Sequence, residues 1–345
     1  MSFLRSDDSA SALNRRSFLG LVAASGAVLG LSACGASSSN SSDSSSGETR
    51  VIKDIDDQEV TVPAKPQRVV VLSEPTLDGA LALGFTPIAS VAGRGQSGVP
   101  NYLKDKSENI KIVGTVAQVD YEEIGNLNPD LILADATGIN KGTDAYSTLE
   151  KIAPVVYCGY AGGDWKLNFN IVANALNLES KGKEFIDAYA KLTEETKAQL
   201  APRYGDKTFS IVRWTGSGPA LILKELPAGQ ALEDLGLKRP ASQDKKGKGH
   251  SMPVSRENLN TIDADYMFLG TLGGASQANP NAQGVSGIEG AQEALERAKE
   301  TSGFTNLEAY KQDHVMLVDG SMWTSTGGPL LLQGIVEDVK KHLLK

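Results

Sequence analysis

Six short, nearly unbroken apolar runs limit this chain to one fold class. They are Val69-Val70-Val71-Leu72, Leu131-Ile132-Leu133-Ala134, Val155-Val156-Tyr157-Cys158, Phe209-Ser210-Ile211-Val212, Tyr266-Met267-Phe268-Leu269 and Val315-Met316-Leu317-Val318. Runs of this length, without a polar residue at every second position, suit strands covered on both faces. Shorter candidates add Pro87 to Val91 and Ala220 to Ile222. Helical segments fall between them: Leu77 to Leu83 stopped by Gly84, Tyr146 to Ile152, and Ala231 to Leu235 closed by Gly236. Strand and helix in alternation predict an α/β fold with parallel sheets. Ahead of them, alternation over Val51 to Val62 around Asp56-Asp57 predicts a β-hairpin.

A long helical stretch divides the pattern in two. From Trp165 to Leu200, with Asp164 as N-cap, apolar residues fall at Phe169, Val172, Ala173 and Leu176, then at Phe185, Ile186, Tyr189 and Leu192. The spacing breaks near residues 177–182, and Pro202 is expected to end the helix. A closing helix carries Leu332, Ile335, Val336, Val339 and Leu343 on one stripe. With 345 residues, 40% of them hydrophobic, the chain can fill about two cores. The expected architecture is two Rossmann-like lobes with central parallel sheets, residues 50–163 and 204–345, joined by a long interlobe helix over 164–203. Ligands on such sheets sit beyond the carboxyl ends of the strands, so facing lobes would enclose a cleft.

The first residues read as an address. Arg15-Arg16-Ser17-Phe18-Leu19 is a twin-arginine start, and no charge occurs from Ser17 through Cys34. That apolar stretch is short for a membrane span and suits an export signal over residues 1–33. It ends Leu31-Ser32-Ala33-Cys34, which resembles a bacterial lipobox, where the Cys34 thiol takes a lipid and the chain is cut before it. Eight of the thirteen residues from Gly35 to Gly47 are Ser, a composition that stays a flexible coil. Residues 34–49 are thus expected to tether a soluble body to the extracytoplasmic face of the cell membrane.

Composition and motifs exclude several functions. A net charge of -8 is poorly suited to neutralising phosphates, so nucleic acid is not an expected partner. Two cysteines do not make a disulfide scaffold. Cys158, in an apolar run, reads as a small core residue rather than a nucleophile. Gly-x-Ser-x-Gly, His-Glu-x-x-His, Cys-x-x-Cys and the phosphate-binding Gly-x-x-x-x-Gly-Lys-Ser/Thr are all missing, which weakens an enzymatic reading without removing acid–base catalysis by cleft carboxylates. Three scattered histidines supply no metal cluster.

Arg94, Tyr160, Arg213, Trp214 and Trp323 fall at or just beyond predicted strand ends. Guanidinium groups offer paired donors to carboxylate or phenolate oxygens, and tryptophan offers flat apolar area. The expected ligand is therefore anionic and partly apolar, gripped between arginine and tryptophan rims. For Arg94 and His250 a solvated loop position fits the sequence as well as a cleft contact does. Arg213 also fits a surface ion pair, and Trp165 is equally suited to covering the seam between the lobes.

The order and spacing of several segments carry a family resemblance over nearly the whole chain. They are Pro66-Gln67-Arg68-Val69-Val70-Val71-Leu72 with Leu77-Asp78-Gly79-Ala80-Leu81, Tyr121-Glu122-Glu123-Ile124 with Asn128-Pro129-Asp130-Leu131-Ile132, Leu232-Glu233-Asp234-Leu235-Gly236, and Ser255-Arg256-Glu257-Asn258-Leu259 with Ile262-Asp263-Ala264-Asp265. Together they resemble the substrate-binding lipoproteins of iron–siderophore ABC importers, a class that also includes cobalamin and haem binders. The resemblance implies a monomeric carrier that takes an iron(III)–siderophore complex in the cleft, without a resident cofactor, and delivers it to a permease dimer. It implies ligand contacts from Arg213 and Trp323, with His250 where some members carry an aromatic residue. It also implies that Glu122 and Glu257, one per lobe and each opening a helix, dock into the permease. A haem binder of the same fold would need an axial ligand, for which Tyr160 or His250 would serve.

Overall fold

A computed structural model describes residues 47–344 apart from 161, 248, 250 and 274–285. The predicted signal segment, Cys34 and most of the tether lie outside those residues, as does His250. Thr49, at the predicted end of the tether, already belongs to the first strand.

Strands β1 (Thr49–Lys53) and β2 (Glu59–Pro63) form the expected antiparallel hairpin. Asp54 shapes its turn by accepting from the Asp56 and Gln58 amides at 2.9 and 3.0 Å, and Asp57 takes a left-handed φ of 60°. Lys141 ties the turn down through Asp54 and Asp56 at 2.6 and 2.9 Å.

The first lobe follows as β3 (Val69–Val71), α1 (Glu74–Ala82), β4 (Ala89–Ala92), β5 (Lys111–Thr115), β6 (Gln118–Val119), α2 (Tyr121–Asn126), β7 (Leu131–Ala134), α3 (Asp144–Glu150) and β8 (Val155–Tyr157). Its sheet has the order β6-β5-β4-β3-β7-β8 and is parallel except at β6. Burial of β3, β4 and β7 on both faces accounts for their unbroken apolar sequence. Helix α1 starts at Glu74, ahead of its expected start, because the Ser73 hydroxyl caps the Thr76 amide at 3.2 Å and Pro75 fits the first turn.

Two helices connect the lobes: α4 (Trp165–Ala175), capped by Asp164, and α5 (Glu179–Tyr204). Between them Asn177 adopts φ 58°, which is the break expected there. Helix α5 continues two residues past Pro202. A proline in the last turn removes only its own donor, and the Gly205 amide still reaches the Ala201 carbonyl at 3.0 Å.

The second lobe comprises β9 (Phe209–Thr215), β10 (Gly218–Leu221), α6 (Pro227–Asp234), β11 (Met252–Pro253), β12 (Tyr266–Gly270), α7 (Ile288–Lys299), α8 (Glu308–Lys311), β13 (Val315–Leu317), α9 (Gly320–Trp323) and α10 (Pro329–Leu343). Its sheet order is β11-β10-β9-β12-β13. The three strands β9, β12 and β13 are parallel, whereas β10 and β11 add antiparallel pairs at one edge.

The lobes share packing as well as a connection. One apolar core runs from Val69 and Leu77 of the first lobe through Phe169 and Tyr189 of the connecting helices to Phe268, Leu332 and Val336 of the second. A buried carboxylate crosses the same seam. Asp78 of α1 accepts from the Leu330 and Leu331 amides of α10 at 2.8 and 3.0 Å, and from the Tyr102 hydroxyl at 2.9 Å. A first-lobe side chain thereby caps a second-lobe helix, satisfying amides that have no partner within it.

Candidate functional site: the interlobe cleft

The carboxyl ends of the first sheet's parallel strands place Glu74, Arg94, Asp135 and Thr137 on one wall of the cleft. Glu74 is buried just beyond β3, and its Oε1 accepts from the Arg94 amide at 2.9 Å. The Arg94 guanidinium lies 3.6 Å from the other Glu74 oxygen and donates to the Thr137 carbonyl at 2.7 Å. The loop that bears Arg94 approaches the opposite lobe closely. Gly95 has a left-handed φ of 68°, and a Cβ there would fall 1.6 Å from the Gly273 carbonyl oxygen, so only glycine suits the position.

Arg213 supplies the facing wall. It lies inside β9, with Phe209 and Ile211 on the same face of the sheet, and donates to the Thr324 carbonyl at 3.3 Å. Its pKa is pushed down to about 10, chiefly by burial and further by the Arg94 charge. Two guanidinium groups, one from each lobe, are thus close enough to repel. A cavity of about 30 Å³ is lined by Asp135 and Thr137 of the first lobe, by Glu225 of the second and by α4, with neither arginine on its wall.

Two expected site residues lie elsewhere. Trp214 was expected at the cleft rim, but β9 extends to Thr215, and strand alternation turns Trp214 to the other face. There it is buried edge-to-face on Phe304, with centroids 5.3 Å apart. Trp323 was also expected at the rim. Asp319 caps α9, and this short helix turns Trp323 back into the core. Its ring stacks on Phe268 at 4.1 Å and its indole N–H donates to Asp338 at 3.0 Å. The aromatic part of the expected grip is therefore core packing.

Tyr160 borders the cavity and is 47% exposed, while its hydroxyl donates to Asp56 of the hairpin at 2.6 Å. Trp165 borders the same cavity and packs edge-to-face on Tyr189 at 5.1 Å. Cys158 is buried and its thiol pKa is pushed well up by burial. Glu122 and Glu257 are both exposed in the first turns of their helices, α2 and a 3-10 segment, Arg256–Ile262.

Sequence reasoning missed Glu74, Asp135, Thr137 and Glu225. The first three directly follow strand ends, where the same rule that singled out Arg94 would have found them. Asp135 is fully buried, accepting from the Ser73 hydroxyl and the Thr137 amide, each at 2.8 Å. Burial raises its pKa to about 6, and burial does the same to Asp78. A raised carboxyl pKa means that the native state holds the proton more tightly. The stability these two groups add is complete below the unfolded value near 4 and is lost as pH rises through about 6. Asp56 acts in the opposite sense. The Tyr160 hydroxyl and then Lys141 lower its pKa, so its contribution is present above about 4 and is lost on further acidification. Urea unfolding should therefore give a greater free energy at pH 5 than at pH 7, with a decline below pH 4. Asp135→Asn should remove part of the gain between pH 7 and 5. A flat profile over that interval would contradict the burial assigned to both carboxylates.

Two α/β lobes connected by helices α4 and α5, with a cavity lined from both, define a two-lobed solute-binding protein. The comparisons agree with that class. Residues 69–321 match the periplasmic binding protein family Peripla_BP_2, and the chain belongs to that family. It is similar to the probable siderophore-binding lipoprotein YfiY of Bacillus subtilis, 32% identical with 92% of this chain and 95% of that protein covered. It is likewise similar to the Fe(3+)-citrate-binding protein YfmC of Bacillus subtilis, 30% identical over 92% of this chain and 94% of that one. Among solved structures, Staphylococcus aureus SirA complexed with staphyloferrin B shares the fold, with a TM-score of 0.70 and 24% identity over 86% of this chain and 99% of that one. No helix among the described residues is long and apolar enough to cross a membrane.

Proposed function

We propose that this protein captures a ferric siderophore between its lobes and presents it, chemically unchanged, to the permease of an ABC importer. The observation that carries the proposal is that Arg94 of the first lobe and Arg213 of the second lie close enough for the Arg94 charge to help lower the Arg213 pKa. Two like charges held together in a partly desolvated place favour an anionic guest, because such a guest relieves their repulsion and accepts their hydrogen bonds. Iron held by the chelate needs no protein ligands. Relatives named for siderophore and ferric-citrate binding, matched over nine-tenths of the chain, support the same cargo class.

The cavity is far smaller than the several hundred Å³ that a ligand of this size needs. Loading therefore requires the lobes to part, and release returns them to the compact arrangement. Glu122 and Glu257 are the proposed docking carboxylates, one on each lobe, for cationic pockets on the permease. Lipidation at Cys34 after twin-arginine export would hold the carrier at the extracytoplasmic face of the membrane as a monomer.

The direct test is tryptophan fluorescence titrated with ferric hydroxamate, ferric citrate-type and ferric catecholate complexes, with haem and cobalamin alongside. Saturable quenching by at least one ferric chelate, with a submicromolar Kd and the chelate recovered intact, is the expected result. Trp165, which borders the cavity, should supply most of the signal, so Trp165→Phe should reduce the quench. Response to haem or cobalamin alone would overturn the siderophore assignment, and turnover of the chelate would overturn the carrier role.

A further inference from the structure

The cleft has a second region of opposite polarity. The interlobe cavity is lined by Asp135 of the first lobe and Glu225 of the second, and no Lys or Arg is among its described lining residues. Glu225 precedes α6 and is only 6% exposed. One of its carboxylate oxygens accepts from the Gly247 amide, while the other, Oε1, is buried with no hydrogen-bond partner. Thr137, also 6% exposed, borders the same cavity. Leaving a buried carboxylate oxygen unmatched is costly, on the order of 1–3 kcal/mol or more, and such a group commonly serves a ligand.

The remaining lining narrows the choice of guest. Asn168 spends an amide N–H on the Tyr160 carbonyl at 3.2 Å, and Gln230 spends its own on the Glu225 carbonyl at 3.0 Å. Beside them, the unmatched Glu225 oxygen adds acceptor capacity at the cavity. A divalent metal is a poor fit, because no suitable cluster of three His, Cys, Asp or Glu side chains is present among the described residues. A primary ammonium fits better, with one positive charge, three donors and a size suited to a cavity of about 30 Å³.

We propose that the Asp135–Glu225 cavity is a subsite for a protonated amine, so that the preferred cargo is a ferric chelate with anionic oxygens toward Arg94 and Arg213 and a cationic amine arm toward Glu225. The inference rests on the siderophore reading for its cargo but not for the subsite. Because the two carboxylates come from different lobes, an ammonium between them also draws the lobes together. A carrier built this way distinguishes chelates by the side arm as well as by the iron-binding groups.

Two measurements on the full chain test the subsite. In thermal unfolding, 100 mM methylammonium chloride should raise the midpoint by about 2–4 °C over 100 mM sodium chloride. The difference should vanish in Glu225→Gln, which keeps an oxygen for the Gly247 amide, and should persist in Arg213→Met. In titrations, ferric desferrioxamine B, with its free amine, should bind at least 10-fold more tightly than the same chelate acetylated at that amine. Glu225→Gln should bring the ratio below about 2, and Asp135→Asn provides a second variant should the first not fold. A methylammonium shift lost in Glu225→Gln, with no ferric chelate bound, would uphold the subsite and overturn the siderophore reading. Chelates bound without amine preference, together with equal midpoints in the two salts, would overturn the subsite alone and leave the cavity to an interior water.

Discussion

Asp78→Ala is expected to lower the unfolding midpoint by roughly 6–15 °C, the largest effect of any single carboxylate removal in the molecule. The Asp78 carboxylate, itself fully buried, is the shared acceptor for two amides at the start of α10 and for the Tyr102 hydroxyl. Alanine leaves three donors without acceptors and a void at the seam where α1 meets α10. Breaking a buried polar cluster by removing its common partner typically costs about 3–5 kcal/mol, because the groups left behind stay desolvated. Tyr102→Phe is the graded control. It removes one donor, leaves the helix amides capped, and should cost only about 1 kcal/mol. Urea unfolding of both variants measures the ladder. Equal losses in the two would mean that the cap on α10 contributes nothing, and that the apolar seam alone fixes the lobes.

That joint explains why the lobes are more than two domains on a linker. The stripe of α10, Leu332, Ile335, Val336 and Val339, packs into a core that also contains Leu77 and Phe169. Asp78 then fixes α10 at its N-terminal end. Cleft opening has to pivot about this seam rather than unfold it, so the lobes part at the loops beyond the strand ends while the seam holds. The loop of Arg94 and Gly95 is among these, and it carries one of the two guanidiniums.

Much of the fold was legible because burial on both faces leaves a plain mark in sequence. The runs Val69 to Leu72 and Tyr266 to Leu269 are strands at the centres of their sheets for that reason. Strand β5, Lys111–Thr115, was not legible, since its partial exposure dilutes the apolar run. Helix α7 was also missed: alanines rather than large residues face the sheet, and its other faces are charged. The site was half legible. A position near a strand end identified Arg94 and Arg213, but not on which side of β9 the side chains of Arg213 and Trp214 emerge. A three-residue error in the end of β9 put Trp214 in the cleft instead of against Phe304. For Trp323 the position beyond β13 was legible, while the reversal made by α9 was not foreseen. Glu74 and Glu225 were overlooked because an acidic residue by itself carries no periodicity. Their meaning depends on contacts with Arg94 and with the opposite lobe.

Arg213→Met should separate binding from stability more cleanly than any other substitution. Folding takes the guanidinium out of water and sets it within the field of Arg94, which is why its pKa falls to about 10. Its hydrogen bond to the Thr324 carbonyl at 3.3 Å offsets part of that cost. Methionine fills similar space without charge, and replacing a desolvated ion by an apolar residue of like volume is often neutral or stabilising, by about 1–3 kcal/mol. Urea unfolding of the ligand-free variant should accordingly show unchanged or increased stability. Affinity should move the other way. Loss of a charge-assisted, paired donor at a binding hot spot costs about 2–4 kcal/mol, or roughly 30- to 1000-fold in Kd for the ferric chelate. Arg94→Met should weaken binding as well, but it should also destabilise the free protein, because Glu74 would keep a buried charge while losing the guanidinium that faces it at 3.6 Å. The two arginines therefore predict different pairs of outcomes from one charge removal. Unchanged chelate affinity in Arg213→Met would show that the cleft holds its guest without the second-lobe guanidinium, and the proposed anionic contact between the lobes would fail with it.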